Sequence, residues 1–287
     1  MSYFLALFFL GLIQGLTEFL PVSSSGHLVL FSKIFGIEES LFISILLHVA
    51  TLLSILVVFR KDIWQMIRHP FSQRTMILVI ATIPTCLIVL VLMPLVKQSF
   101  AGGFLPISFF VSAILLFVSE IVSKKKNSKP IDFKSAFIMG VAQGFAVFPG
   151  ISRSGATISA GLLNGNDKKE TAEFSFLMSV PIVILSLLME IYEIASGAEK
   201  VNIQILPTIV SFVVAFVVGI FAIKVMIKLT EKSNLKKPFA AHLFFIQLLY
   251  HITHFLFCQE FFHFSERILS SFFQINVLSC ATYAILS

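Results

Sequence analysis

The chain has 287 residues, of which 57% are hydrophobic and only 13% charged, with 33 phenylalanines and a formal net charge of +6. A soluble domain carries roughly a quarter charged residues, so this composition excludes a water-soluble globular fold and points to a polytopic helical membrane protein. Nor does the positive balance indicate nucleic acid as a partner: fourteen of the 21 Lys and Arg are confined to the windows Arg60–Arg74, Lys124–Lys134 and Lys224–Lys237, beside the acids Asp62, Asp132 and Glu231.

From the N-terminus, the apolar stretches Tyr3–Leu20 and Gly26–Phe35 are separated by Pro21-Val22-Ser23-Ser24-Ser25. They read as a re-entrant hairpin over 3–36, although Tyr3–Leu20 is also long enough for a full crossing, which takes roughly 20 residues. Leu41–Phe59 is a full span that ends at the first basic window, and Thr75–Val96 and Phe104–Val122 are two more. Connections rich in Lys and Arg stay cytoplasmic, so the three basic windows share one side. Ser135–Phe148 and Ala156–Leu163, at 14 and 8 residues, are too short to cross comfortably, and Pro149-Gly150 breaks the chain between them. They read as a second re-entrant hairpin, over 135–165. Irregular backbone at that depth is acceptable where it is packed in protein or lines a wet cavity. Phe174–Tyr192, Ile203–Ile223 and Phe239–Cys258 complete the spans.

Counting crossings between basic windows makes the first hairpin enter from outside and the second from inside. Each half is then one hairpin plus three spans, and an odd number of spans makes the halves inverted copies. The expected fold is all-α: an inverted-topology repeat with two re-entrant helix hairpins and about six transmembrane helices. Residues 1–123 form the first repeat and 135–258 the second, and the tail 259–287 is unassigned. Cys86, Cys258 and Cys280 lie in apolar stretches without paired spacing and read as packing residues.

The two hairpins share a motif. At a constant offset of 129 residues, Gln14/Gln143, Gly15/Gly144, Phe19/Phe148, Ser23/Ser152, Ser25/Ser154 and Gly26/Gly155 are identical. Gln14 and Glu18 are four apart and share a helix face, just before the turn Ser23-Ser24-Ser25-Gly26-His27. A carboxylate, hydroxyls and an imidazole so close together can bind a divalent cation, move a proton and supply a nucleophile. The bland alternative makes Glu18 a hydrated helix end and the serines a cap. In the second hairpin, Arg153 is the one Arg between Arg74 and Arg267, set among Ser152, Ser154, Gly155 and Thr157 after Pro149-Gly150. A Gly/Ser turn opening a helix offers free N–H groups, and a guanidinium adds a fork of donors suited to phosphate. The alternative there is a structural Arg capping a neighbouring helix. His48 and His69 read as isolated.

These residues resemble the undecaprenyl-diphosphate phosphatase family, the membrane enzymes of bacitracin resistance. Gln14-Gly-Leu-Thr-Glu18 with Ser24-Ser25-Gly26-His27, and Pro149-Gly-Ile-Ser152-Arg153-Ser154-Gly-Ala-Thr157, match its two long motifs. Phe59-Arg60-Lys61-Asp62-Ile63 and Glu173-Phe174-Ser175-Phe176-Leu177 are similar to weaker signatures. The resemblance covers about residues 4 to 239; Gln14 and Ala50 depart from the family's commoner residues, and its closing helix is not visible beyond Phe239. The resemblance implies hydrolysis of undecaprenyl diphosphate to the monophosphate and phosphate, which recycles the lipid carrier for cell-wall synthesis. It also implies a divalent metal (Mg2+ or Ca2+) and a homodimer in the bacterial cytoplasmic (inner) membrane.

On this reading Arg153, with Ser152, Ser154 and Thr157, holds the diphosphate, and Ser25 and Gln143 line the same site. Glu18, with Gln14, orients the metal or acts as base. Ser24 attacks with His27 moving the proton, or the two exchange roles. Type-2 phosphatidic-acid phosphatases are excluded, because position 159 is Ser where their His would stand and no Arg-Pro occurs. A transporter or flippase for a phosphorylated lipid or anion remains the rival, since inverted repeats are a transporter design. The inverted arrangement predicts that single cysteines at positions 38 and 197 are labelled from outside intact cells and those at 126 and 236 are not. Outside labelling at 126 would overturn it.

Overall fold

The computed structural model describes residues 2–37, 41–99, 105–123, 128–195 and 204–231. They form ten helices: α1 (Tyr3–Thr17), α2 (Ser24–Phe35), α3 (Leu41–Val58), α4 (Arg60–Arg68), α5 (Gln73–Ser99), α6 (Leu105–Ser123), α7 (Phe133–Phe145), α8 (Arg153–Leu163), α9 (Lys168–Ala195) and α10 (Ile205–Glu231). Among the described residues α5, α9 and α10 are each long and apolar enough to cross a membrane, and α3 qualifies together with α4, from which it is bent by 80°. Leu90, Val91, Phe110, Val217 and Phe221 are exposed on these helices and on α6. So much outward apolar surface suits a lipid-facing wall, and the protein is an all-α, polytopic membrane protein. The expected span Phe239–Cys258, the tail 259–287 and the four labelling positions lie outside the described residues.

Both broken segments fold as helix pairs. α1 has 15 residues and α7 has 13, about 22 and 20 Å at a rise of ~1.5 Å per residue. Each is shorter than the ~30 Å hydrocarbon core. α1 packs on α2 and α7 on α8. The second helices begin earlier than the apolar runs suggest, at Ser24 rather than Gly26 and at Arg153 rather than Ala156. The reason lies in the caps. The Ser23 hydroxyl accepts from Gly26 N and the Ser152 hydroxyl from Gly155 N, which satisfies a helix-end donor in each case. The basic window Arg60–Arg74 is not a plain loop either, because Arg60–Arg68 winds into α4.

The halves interlock. At the 129-residue offset α1, α2 and α3 correspond to α7, α8 and α9, and α5 to α10. α1 packs against α10 of the other half, and α7 against α5. α3 likewise meets α10 while α9 meets α5, and α3 and α9 touch each other. Small residues permit the first two contacts. A Cβ on Gly11 would run into the Ser211 carbonyl oxygen, and one on Gly140 into that of Ala81. Gly15 and Gly144, one turn later, are also crowded. Each helix therefore presents a small-xxx-small seam, which lets backbones meet in lipid. Hydroxyls add to the seams: Thr85 donates to the Gly140 carbonyl at 2.8 Å, and Ser54 to that of Phe216 at 2.8 Å. A core of Phe19, Ile55, Phe59, Ile158, Phe176 and Met226 fills the space between the hairpins and α3, α9 and α10.

Overpacking a seam of this kind costs on the order of 1–3 kcal/mol. Gly11→Ala and Gly140→Ala should each lower thermal stability in detergent by that amount. Gly36→Asn serves as the control for space alone, since a Cβ there would meet nothing within 4 Å and Asn is among the side chains that best tolerate its φ of +66; it should cost no more than about 1 kcal/mol. Wild-type stability in Gly140→Ala would show that the close approach is not structural.

Candidate functional site

The two hairpin turns meet. A Cβ on Gly26 would lie 2.9 Å from Gly150 Cα and 2.8 Å from Phe109 Cζ, so the first turn of α2 rests directly on the α7–α8 turn. The Ser154 hydroxyl donates to the Leu20 carbonyl at 3.1 Å, bridging the same two turns. α6 holds the second turn from behind: Ser112 Oγ accepts from Ser152 N at 2.9 Å and donates to the Gly150 carbonyl at 3.3 Å. Ser23 sits at φ +62, a left-handed conformation uncommon for a residue with a side chain. Such backbone costs energy and persists only where its surroundings enforce it.

At this junction Glu18 is the hub. It caps the C-terminus of α1 and is only 6% exposed. Its Oε1 is paired with Arg153 Nη2 from the other hairpin. Its Oε2 accepts from Ser24 Oγ at 2.6 Å and from Gln14 Nε2 at 3.0 Å. His48 Nε2, from the middle of α3, lies 3.6 Å from the same oxygen. A buried carboxylate is tolerated when it is paired and its lone pairs are filled, and here both oxygens are occupied. Two polar atoms nearby are buried without a hydrogen-bond partner among the described residues, Arg153 Nη1 and Gln14 Oε1. The first is a cationic donor and the second a neutral oxygen acceptor. Together they offer a phosphate and a hard cation one contact each.

Four of the residues singled out by sequence thus converge: Gln14, Glu18, Ser24 and Arg153. The others have different surroundings. His27 is buried with Nδ1 2.6 Å from the Ser23 carbonyl, and because a carbonyl only accepts, that nitrogen carries the proton. Its ring packs edge-on against Phe109 at 5.5 Å. The acceptor on the Ser24 hydroxyl is Glu18 Oε2. The hydroxyls of Ser152, Ser154 and Thr157 are engaged in the fold. Thr157 donates to the Arg153 carbonyl at 2.9 Å and meets Ser175 Oγ at 2.6 Å. Gln143, the counterpart of Gln14, donates instead to Thr85 Oγ1 and the Met178 carbonyl, each at 3.3 Å. Ser25 is half-buried beside the turn.

Sequence reasoning sets His48 aside as isolated, yet the structure brings it to Glu18. The signal was present: an ionisable group inside an apolar span is by default a functional candidate. Ser112 and Ser175 carried no comparable signal. Each is one hydroxyl among many, and its partner is 40 or 18 residues away.

Residues 7–249 match the family described as bacitracin resistance protein BacA. The chain is 40% identical over 230 residues to an undecaprenyl-diphosphatase of Carboxydothermus hydrogenoformans, covering 79% of this chain and 88% of that one. It is 40% identical to the undecaprenyl-diphosphatase of Christiangramia forsetii, covering 83% and 94%. A third, from Parabacteroides distasonis, is 41% identical over 82% and 92% of the two chains.

The Glu18–Arg153 pair should show the behaviour of a buried ion pair. Removing one partner leaves the other charged and unmatched, at a cost of on the order of 3–5 kcal/mol. Glu18→Gln and Arg153→Gln should each lose that much stability in chemical denaturation, and the double variant should lose less than their sum. Strict additivity would mean that the two residues do not interact.

Proposed function

The chain belongs to the bacitracin resistance protein BacA family, and we propose that it hydrolyses undecaprenyl diphosphate to undecaprenyl phosphate and inorganic phosphate. The observation that carries this reading is the chain of contacts from Ser24 Oγ through Glu18 to Arg153. It sets a nucleophile, a base and an anion-binding cation side by side. The names of the relatives support the same activity. A transporter would need the cation but has no use for a hydroxyl already bonded to a buried carboxylate.

Arg153 binds the terminal phosphate, with Nη1 as the unoccupied donor. A planar guanidinium matches phosphate oxygens with two parallel donors, where an ammonium offers a single point charge. Glu18 Oε2 takes the proton of Ser24 as Oγ attacks the terminal phosphorus. The bond from phosphorus to the bridging oxygen breaks, and undecaprenyl phosphate departs as an anion, needing no proton. Glu18 then returns that proton to Ser24 Oγ as water attacks the phosphoserine; the bond from phosphorus to Oγ breaks, and the water's oxygen and hydrogens leave with inorganic phosphate. Gln14 and Arg153 fix the carboxylate, so its orientation is set before substrate arrives, which is where preorganised sites gain most. In this reading His27 shapes the turn through the Ser23 carbonyl, and His48 adds a fourth contact to Glu18.

A divalent cation, Mg2+ or Ca2+, suits the donors present. Glu18 and Gln14 Oε1 are hard oxygens, and Mg2+ is commonly held by one or two carboxylates together with substrate phosphates. Among the described residues no group of three or more His, Cys, Asp or Glu could hold an ion, so Glu18 and Gln14 would share it with the diphosphate. When bound it would neutralise charge on the diphosphate. The cytoplasmic membrane as location, a homodimer, and the division into inverted repeats 1–123 and 135–258 belong to the same proposal.

Purified protein given a polyprenyl diphosphate and Mg2+ should release phosphate. Ser24→Ala should cut kcat at least about a hundredfold, ~2.7 kcal/mol, with substrate binding little changed. Arg153→Lys keeps the charge and loses the fork, and should cost at least about tenfold, roughly 1.4 kcal/mol. No phosphate release by the wild type would sink the activity, whereas normal turnover by Ser24→Ala would sink only the nucleophile.

A further inference from the structure

A second feature lies away from the Glu18 junction, on the outer wall where α4, α5 and α9 meet. A groove of about 560 Å³ runs there, lined by Ile67 of α4, Val79, Ile83 and Leu87 of α5, and Val180 and Ile184 of α9, among others. Its volume falls within the roughly 300–1,000 Å³ usual for small-molecule sites. Its two lining hydroxyls are already used: Thr75 donates to the His69 carbonyl at 3.2 Å and Thr82 to that of Leu78 at 2.8 Å. The walls therefore offer an occupant only apolar contact.

The groove has a direction. Its lining on α5 extends from Thr75 to Leu87, twelve residue steps or about 18 Å at a rise of ~1.5 Å. One leaflet contributes about half of the ~30 Å hydrocarbon core, so the groove is about as deep as a single leaflet. Its Thr75 end opens at the basic window. There Arg60, Lys61, Arg68 and Arg74 are exposed against a single acid, Asp62, which is taken by Arg74 at 2.7 Å. Among the described residues Arg60, Lys61 and Arg68 have no carboxylate partner. The Arg68 guanidinium instead lies over the Trp64 ring, 5.0 Å from its centroid.

α4 has the character of an interfacial helix. It turns 80° away from α3 and exposes Trp64 and Ile67, and Phe71 just beyond it is 89% exposed. Aromatic and apolar side chains mixed with basic ones are the signature of a segment lying at the headgroup level. A cationic headgroup platform at the mouth of an apolar, leaflet-deep groove is complementary to one kind of molecule.

We infer that this groove is a binding site for an anionic phospholipid of the cytoplasmic leaflet. One acyl chain lies between α5 and α9, and the phosphate headgroup sits against Arg60, Lys61 and Arg68. The site is separate from the diphosphate site, and the inference does not depend on the reaction proposed there.

The test uses the full-length protein, purified in micelles doped with equimolar phosphatidylglycerol and phosphatidylcholine, with retained lipid read by native mass spectrometry. The wild type should retain one phosphatidylglycerol with at least about a fivefold preference over phosphatidylcholine. Val79→Trp, which fills the groove from an exposed position, should abolish retention of both lipids. Ile83→Trp should do the same and guards against a folding failure peculiar to one variant. Lys61→Gln combined with Arg68→Gln should erase the preference while leaving phosphatidylcholine retained. Three results would each overturn the proposal: equal retention of both lipids by the wild type, unchanged retention in both Trp variants, or one-for-one displacement of phosphatidylglycerol by added polyprenyl phosphate. The last would give the groove to the substrate's tail.

Discussion

The pairing of Glu18 with Arg153 is the contact on which the rest of the structure depends. Each charge is housed in a hairpin set among apolar helices, and neither could be held there alone. Burying an unpaired ion costs several kcal/mol or more, so the pair forces the two turns together. The turns can approach because Gly26 lacks a side chain where it meets the backbone of Gly150. Once they touch, the bond from Ser154 to Leu20 and those from Ser112 to the second turn fix their relative position. The ion pair thus acts both as the structural clasp between the halves and as the polar centre of the site.

The repeated motif places different side chains on one backbone plan. Ser24 and Arg153 occupy equivalent positions, 129 residues apart, each the first residue of a helix behind a serine cap. One half supplies a hydroxyl at that position and the other a guanidinium. Gln14 and Gln143 diverge similarly: the first bonds to Glu18, while the second bonds to Thr85 and Met178, within its own helix packing. The shared geometry is kept in the seams of small residues on α1 and α7. Different side chains at equivalent positions come together because the packing joins the two turns.

The hydroxyls around Arg153 show why residue type alone overstates a binding site. In a low-dielectric setting every donor needs an acceptor. Ser152, Ser154 and Thr157 meet that need with backbone carbonyls and neighbouring hydroxyls, and so stiffen the turn that carries Arg153. Arg153 Nη1 and Gln14 Oε1 are the exceptions, and their lack of partners among the described residues marks where a ligand would gain most.

The sequence alone determined the class, the break points and the essential pair of motifs. Those depend on local properties: apolar run length, proline and glycine at the breaks, clustering of Lys and Arg, and charged groups standing alone in apolar surroundings. It also singled out Gln14, Glu18, Ser24 and Arg153, which the structure brings into contact, because two copies of one motif at a fixed offset imply a shared junction. It did not reveal that Ser24's acceptor is Glu18, that His48 joins the cluster from α3, or that Arg60–Arg68 forms a helix turned 80° from the span before it. Those depend on which helix faces lie together and how they are angled. Such choices are made by the Gly11/Gly15 and Gly140/Gly144 seams and by the cost of leaving a buried charge unpaired, and only the packed tertiary structure resolves them.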